Sequence, residues 1–395
     1  MIQSIKIKNF LSFKDEVKFS FEASKDTFAE ESQVVQINKD TRLLRFAIVY
    51  GYNASGKTNL LRVMNYLHDF WFNTTSNIDE RTGAVPFKLD MSSPNEPSEF
   101  ELVFWVENTK YWYQLSMDGS AVLSEKLYYY KSSQPALLFE RNLTEGQSVI
   151  NYNIKVSNVV KDSIAVHCLR NMSFFAARNQ VNTSIPQIDA AMNWMKTQIL
   201  PTIFPQTDLT AFAQREAAQH KEIIPYIVNF LREADFNIDN ISTDMKEQSV
   251  IPYKTDFEHG VENERGMESY LLKSDEESRG TLRTFGIESV LYNALQQQAF
   301  LAIDEIETSL HPKLLEKILF EYLRVNSRSQ ILVTTHNDGL LDLVDDLIRK
   351  DSVWFTEKQK SGVTDLYKLT DFRGLNRLSS IREAYRNKRF GATMR

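Results

Sequence analysis

Five apolar residues, Phe46-Ala47-Ile48-Val49-Tyr50, run directly into Gly51-Tyr52-Asn53-Ala54-Ser55-Gly56-Lys57-Thr58, and Asn59-Leu60-Leu61-Arg62-Val63-Met64 follows with helical spacing. The order is buried strand, glycine-bearing turn, helix, and the turn satisfies GxxxxGK[ST] at every fixed position. Glycines let successive backbone N–H groups turn inward around an anion, and the helix behind them adds the partial positive charge of its N-terminus. Lys57 is placed to reach β- and γ-phosphates, and the Thr58 hydroxyl to ligate Mg²⁺. Gly51, Asn53, Ala54, Ser55, Gly56, Lys57, Thr58 and Asn59 are therefore the expected nucleotide-binding positions. The expected fold class is α/β.

Two further runs that read as buried strands end in chemistry. Phe300-Leu301-Ala302-Ile303 is followed by Asp304-Glu305. A buried strand there delivers Asp304 at its tip, where it can hold Mg²⁺ through water beside Thr58. Glu305, one residue on, can act as general base toward the attacking water. Gln330-Ile331-Leu332-Val333-Thr334-Thr335 ends in His336, which can contact the γ-phosphate and sense hydrolysis. The interval between Glu305 and Gln330 has room for one helix and a parallel neighbouring strand. Lys57, Glu305 and His336 are thus the expected catalytic residues, and Thr58 and Asp304 the expected metal-holding pair. No Asn-Lys-x-Asp base-reading motif follows the phosphate loop, so ATP with Mg²⁺ is the expected cofactor rather than GTP.

A minimal phosphate-loop domain does not need all of 59–303 between its halves, so something is inserted. The first 21 residues alternate as strands do, through Ile5, Ile7, Phe10, Phe13, Val17, Phe19 and Phe21. Three more alternating segments, 100–106, 111–115 and 122–130, are separated by Asn108-Thr109 and Asp118-Gly119, an antiparallel meander. Its aromatics could stack on bases, but alternation with polar neighbours favours sheet packing. From about 160 to 235 the period turns helical, in short pieces interrupted by Pro186, Pro201, Pro205 and Pro225. Strand and loop character returns near Asn237, then a long helix over 281–297, and a helix after Pro312. The expected division is 1–158 as an N-terminal ATPase lobe, 159–236 as a helical insertion, and 237–395 as a C-terminal ATPase lobe.

Composition narrows the setting. No apolar run is long enough to span a bilayer, the N-terminus lacks a signal-peptide core, and the single cysteine, Cys168, excludes an internal disulfide framework. A cytoplasmic protein without a membrane partner is expected. The net charge is −6, yet 373–395 carries seven basic residues (Arg373, Arg377, Arg382, Arg386, Lys388, Arg389, Arg395) against Glu383 alone. A solvated helix face accounts for this, or a patch for nucleic acid or an acidic partner. Ser379-Ser380 followed by Glu383 reads as the capped start of a short helix there.

Taken together, these motifs resemble the ABC-type ATPases of the SMC, RecF and Rad-fifty group. The opening Ile5-Lys6-Ile7-Lys8-Asn9-Phe10-Leu11-Ser12-Phe13 is similar to their N-terminal strand and loop, 304–312 to their Walker B and D-loop, and Thr334-Thr335-His336-Asn337 to their switch histidine. Glu277-Ser278-Arg279-Gly280-Thr281 stands where that group carries its signature motif, in a Ser-x-Gly-Thr form that departs from Leu-Ser-Gly-Gly. That form, with Arg232-Glu233-Ala234-Asp235, 353–358 and Tyr385 to Ala392, resembles compact ATPases of prokaryotic anti-phage defence, AbiLii and RloA-like proteins related to PtuA and the OLD ATPases. No glutamine stands out for the Q-loop. The resemblance implies an ABC-ATPase-like, two-lobed P-loop NTPase head with an antiparallel β subdomain and a short helical insertion. It also implies a homodimer or higher homo-oligomer in which Ser278, Gly280 and Thr281 of one subunit close over the ATP of another.

Three functions compete. The first, which the resemblance favours, is an ATPase sensor or scaffold that gates a separately encoded effector, a nuclease, in abortive infection. The second is a stand-alone ATP-regulated nuclease of the OLD kind, which would need a metal-carboxylate domain within the short stretch after His336. Asp342, Asp345 and Asp346 in that stretch fall on a helical, solvated pattern. The third is a DNA-binding repair or condensation head, for which longer arms or a clearer basic groove would be expected.

Overall fold

The computed structural model describes residues 1–234, 236–245 and 253–393. Asp235, quoted above beside Arg232, and Arg395 of the basic tail lie outside the described residues. Contacts divide the chain into two compact units: Met1–Ile203 with Gln298–Asp304 and Arg328–Arg395, and Phe204–Gln297 with Glu305–Ser327.

The first unit opens with the antiparallel pair β1 (Ile2–Lys8) and β2 (Val17–Ser20). A helical turn, α1 (Glu30–Gln33), and the short pair β3 (Val34–Gln36) and β4 (Arg42–Leu44) lead into β5 (Phe46–Tyr50). All five β5 residues are buried, as an interior strand covered on both faces requires. After the glycine turn, α2 (Lys57–Phe72) buries Leu60, Leu61, Val63, Met64, Leu67, Phe70 and Trp71, a stripe at three- and four-residue spacing.

Next comes the meander: β6 (Ser98–Val106), β7 (Thr109–Met117), β8 (Val122–Tyr130), β9 (Pro135–Thr144) and β10 (Gln147–Tyr152). With the first two strands it forms one seven-stranded sheet in the order β10-β9-β8-β7-β6-β1-β2. The last hairpin, β9–β10, was not among the expected strands. Opposed pairs such as Phe100↔Leu115, Leu102↔Tyr113 and Phe104↔Tyr111 share the buried face. Trp71 of α2 meets Tyr113 edge-on at 5.7 Å, and Phe104 stacks on Trp194 at 4.7 Å. These aromatics hold the sheet to its covering helices, the packing role their alternation predicts.

A buried ion pair also ties this sheet down. Glu125 and Arg141 are both fully buried and 3.0 Å apart. Glu125 further accepts from Tyr113 Oη (2.9 Å), Ser173 Oγ (3.0 Å) and Phe174 N (2.8 Å), while Arg141 donates to the Leu169 carbonyl at 2.7 Å. A buried pair supplied with this many partners holds one register, although it stabilises little relative to an apolar core. The helices α3 (Asn158–His167), α4 (Phe174–Arg178) and α5 (Pro186–Thr197) follow, with Pro186 in the first turn of α5, where no N–H is needed.

In the second unit, α6 (Leu209–Gln219) and α7 (Ile223–Glu233) precede a three-stranded antiparallel sheet, β11 (Ile238–Met245), β12 (Tyr253–Asn263) and β13 (Gly266–Lys273). Segment 159–236 is thus divided, α3–α5 lying in the first unit and α6 and α7 in the second. Helix α8 (Arg279–Gln297) packs Phe285 edge-on against Phe257 at 5.5 Å, inside a core that includes Ala213, Ile227, Leu231 and Ile241.

The chain then returns β14 (Phe300–Ile303) to the first unit, gives α9 (Pro312–Arg324) to the second, and finishes in the first with β15 (Gln330–Thr335), β16 (Val353–Lys358), β17 (Thr364–Lys368) and α10 (Ile381–Arg386). The resulting sheet has the order β14-β15-β5-β16-β17, parallel except for its last strand. This is the α/β phosphate-loop head with an antiparallel β subdomain that the sequence leads one to expect.

Candidate functional site

Because β14, β15 and β5 are parallel neighbours, the residues that follow them emerge at one edge of the sheet. Those residues are Asp304, His336 and Gly51. The first unit therefore brings together the phosphate loop, the acidic strand end and the histidine.

The loop's glycines are fixed by close packing. A Cβ on Gly51 would lie 2.4 Å from Ser55 Oγ and 2.7 Å from the Thr356 carbonyl. At Gly56, φ is +115°, and a Cβ would strike Thr364 Oγ1 at 2.4 Å. Both positions admit glycine alone. Ala54 also takes a left-handed φ of 65°, turning the loop where Asn53 and Ala54 are exposed. Ser55 is buried, with its Oγ 2.7 Å from Thr356 Oγ1.

Lys57 starts α2, and only 5% of its surface is exposed. Its Nζ donates to the Gly51 carbonyl at 2.7 Å and lies 3.2 Å from His336 Nε2. Thr58 Oγ1 donates to Asp304 Oδ2 at 2.9 Å, and Thr334 Oγ1 donates to Asp304 Oδ1 at 2.6 Å. A hydroxyl and a buried carboxylate this close form an all-oxygen donor pair, which fits a hard cation such as Mg²⁺ that keeps much of its water shell.

Asn59 turns its amide to Ser12 Oγ at 2.7 Å. Ser12 Oγ in turn lies 2.8 Å from Thr364 Oγ1, whose own proton goes to the Ser55 carbonyl at 2.9 Å. The N-terminal loop and the start of β17 thus buttress the phosphate loop from behind. In the sequence, Ser12 stands out only inside the N-terminal motif, Thr334 only inside the stretch that ends in the switch histidine, Thr356 only inside the stretch 353–358, and Thr364 carries no signal as a site residue. Their roles come from parallel and antiparallel neighbours that spacing does not reveal.

The remaining expected residues belong to the second unit. Glu305 is its first residue after Asp304 and adopts a left-handed φ of 46°; its carbonyl accepts from Thr308 N at 2.9 Å. Ser278 is exposed and caps α8, its Oγ accepting from Thr281 N at 3.0 Å. Gly280 is the second residue of the helix, and Thr281 is buried. A Cβ on Gly280 would meet no atom nearer than 3.6 Å.

The basic tail is only partly outward. Arg382 and Arg386 pair with Asp338, and Arg382 also with Asp342. Ser380 caps α10 by accepting from Glu383 N at 3.1 Å, as the sequence predicts. No helix among the described residues is long and apolar enough to cross a membrane.

A curated ATP/GTP phosphatase of Helicobacter pylori is 21% identical over 378 residues, 89% of either chain. Among solved structures, the SMC head domain from Thermotoga maritima has a TM-score of 0.46 at 12% identity, covering 93% of this chain and 98% of that one. An SMC head bound to the C-winged helix domain of ScpA gives 0.49 at 13% identity, with 94% and 99% covered. The family model described as "AAA domain, putative AbiEii toxin, Type IV TA system" matches residues 46–150 and 207–342. That match takes in the phosphate loop, the α8 start, Asp304, Glu305 and His336, and the chain belongs to this family of AAA-domain ATPases.

Proposed function

We propose that this ATPase is a nucleotide-gated switch of a bacterial anti-phage defence system, acting as sensor or scaffold for a separately encoded effector nuclease. The family's link to AbiEii and to type IV toxin–antitoxin systems supports the setting. ATP would lie with its phosphates on the backbone N–H groups of 51–58 and the N-terminus of α2. Lys57 would leave the Gly51 carbonyl for the β- and γ-phosphates, and Thr58 and Asp304 would hold Mg²⁺, which supplies charge neutralisation at the phosphates. Glu305, one peptide bond beyond Asp304, would accept the water's proton, and His336 would meet the γ-phosphate.

Gly280 carries the closing step. Among the described residues nothing crowds a side chain at that position, and Ser278 nearby is exposed. Bare backbone at an accessible helix start suits the γ-phosphate of a second copy's ATP, as in a head-to-tail dimer. The partner's affinity would then differ between open and closed forms. Ser278→Arg in a Glu305→Gln background should bind ATP yet fail to dimerise in size analysis, and normal ATP-dependent dimerisation would refute the closing step.

The purified chain should cut neither DNA nor RNA with Mg²⁺ or Mn²⁺. Cleavage lost on mutating a carboxylate outside the ATP site would favour the stand-alone nuclease. One further reading follows from the family description, which names AbiEii a toxin: growth arrest on expressing this chain alone would make it the toxic component itself.

A further inference from the structure

The last helix of the chain grips the segment that follows His336. Arg382 Nε lies 3.1 Å from Asp338 Oδ1, and its Nη1 lies 2.7 Å from Asp342 Oδ2. From the next turn, Arg386 Nε donates to Asp338 Oδ2 at 2.5 Å and Nη2 to Oδ1 at 3.1 Å. One carboxylate, two residues beyond His336, thus receives two guanidiniums. Burial alone would raise the Asp338 carboxyl, but hydrogen bonds and charge from the two arginines leave it below the usual carboxylate range. Asn337 between them is fixed as well: its N–H donates to Thr335 Oγ1 and its Oδ1 accepts from Gly339 N, each at 2.9 Å.

The same helix is anchored beside the phosphate loop. Tyr385 stacks on Phe355 of β16 with centroids 5.6 Å apart, and lies 5.9 Å from Tyr50, the residue before Gly51. Ala384 is buried, and Tyr385 Oη donates to the Ala392 carbonyl at 2.9 Å. A helix of six residues has too little internal hydrogen bonding to persist alone, so these contacts define where it sits. One element therefore touches both the strand end that launches the phosphate loop and the segment that carries His336. His336 itself is exposed, and its backbone is held on one side by β15 and on the other through Asp338.

We infer that Asp338, clamped by Arg382 and Arg386, is a positioning residue that holds the His336 imidazole against the Lys57 side of the nucleotide site. The inference rests on the reading of His336 as the γ-phosphate contact. It also assigns a use to two tail arginines whose sequence pattern reads as an outward basic patch. Half-exposed ion pairs weaken as salt rises, so this clamp loosens at high ionic strength.

The test is steady-state ATP hydrolysis with nucleotide affinity measured alongside, for Asp338→Asn and for the double variant Arg382→Gln/Arg386→Gln, each with and without His336→Ala. Either change at the clamp should lower kcat by about tenfold, leave the ATP dissociation constant within the scatter of the wild type, and add no further loss once His336 is alanine. Arg382→Lys/Arg386→Lys, which keeps the charge, should recover part of the rate at low salt. If His336→Ala is impaired but the clamp variants hydrolyse normally, or lose the same factor in both backgrounds, the clamp is overturned while the histidine reading stands. If His336→Ala hydrolyses ATP as the wild type does, the histidine reading fails and the clamp inference goes with it.

Discussion

Thr334→Val removes one hydroxyl from the site and nothing else of its shape. Thr334 is fully buried, Asp304 is 2% exposed, and the hydroxyl donates to Asp304 Oδ1 at 2.6 Å. A valine methyl occupies the same space, so the substitution leaves a buried carboxylate oxygen without that donor. A hydrogen bond to a charged group contributes about 1.5–3 kcal/mol, and leaving a buried acceptor unpaired costs its desolvation as well. The variant should therefore lose about 2 kcal/mol, read as a lower urea midpoint at unchanged m-value. Thr334→Ser, which keeps the donor, should lie close to the wild type. The carboxylate is also freer to turn away from Thr58, so Mg²⁺-dependent ATP binding should weaken in Thr334→Val while metal-free nucleotide binding changes little. Equal urea midpoints for valine and wild type would refute the claim that this hydroxyl holds Asp304.

Gly51→Ala should abolish ATP binding rather than merely weaken it, because the new Cβ would sit 2.7 Å from the Thr356 backbone carbonyl, which has no flexible side chain to move; titration with a fluorescent ATP analogue reads this directly. Burial pushes Glu288 in α8 up to about 8, from an ordinary 4.5. The folded chain keeps a proton that the unfolded chain has released, so stability falls as pH rises from 4.5 toward 8, by on the order of 3 kcal/mol up to neutrality. Glu288→Gln should flatten that fall in urea midpoints measured at pH 5 and pH 7, and parallel slopes for the two proteins would count against it.

Strands that carry their own signal were legible in the sequence. The run 300–303 is uniformly apolar, and 330–335 carries Ile331-Leu332-Val333 at its centre; both are buried throughout and have the observed bounds, because parallel strands covered on both faces show little alternation. The segment 122–130 is bounded by a turn and alternates, and it too has the observed limits. The β9–β10 hairpin is not legible: Glu140, Arg141 and Asn142 give it a polar look, and Arg141 is buried because Glu125 on the neighbouring strand and the Leu169 carbonyl meet it. The site divides in the same way. Gly51 to Thr58, Asp304 and His336 are motif positions whose residue types follow from phosphate and metal chemistry. Thr334, Thr356, Thr364 and Ser12 act through neighbours distant in the chain, and a threonine in a strand is also an ordinary strand residue. The tail is legible only in part: its seven basic residues read as a solvated helix face or a patch for nucleic acid or an acidic partner, and two of them, Arg382 and Arg386, meet Asp338, an acidic partner inside the chain that no local pattern announces.

Glu305 is the residue proposed to perform the chemistry rather than the binding. Phosphate release and bound nucleotide should be measured in the same samples of wild type, Glu305→Gln and Lys57→Ala, with Mg²⁺ and ATP. Wild type should hydrolyse ATP, Lys57→Ala should neither bind nor hydrolyse it, and Glu305→Gln should bind ATP with undiminished affinity while releasing almost no phosphate, since an amide cannot accept the water's proton. Hydrolysis by Glu305→Gln at the wild-type rate would contradict the assignment of the base and, with it, the proposed mechanism.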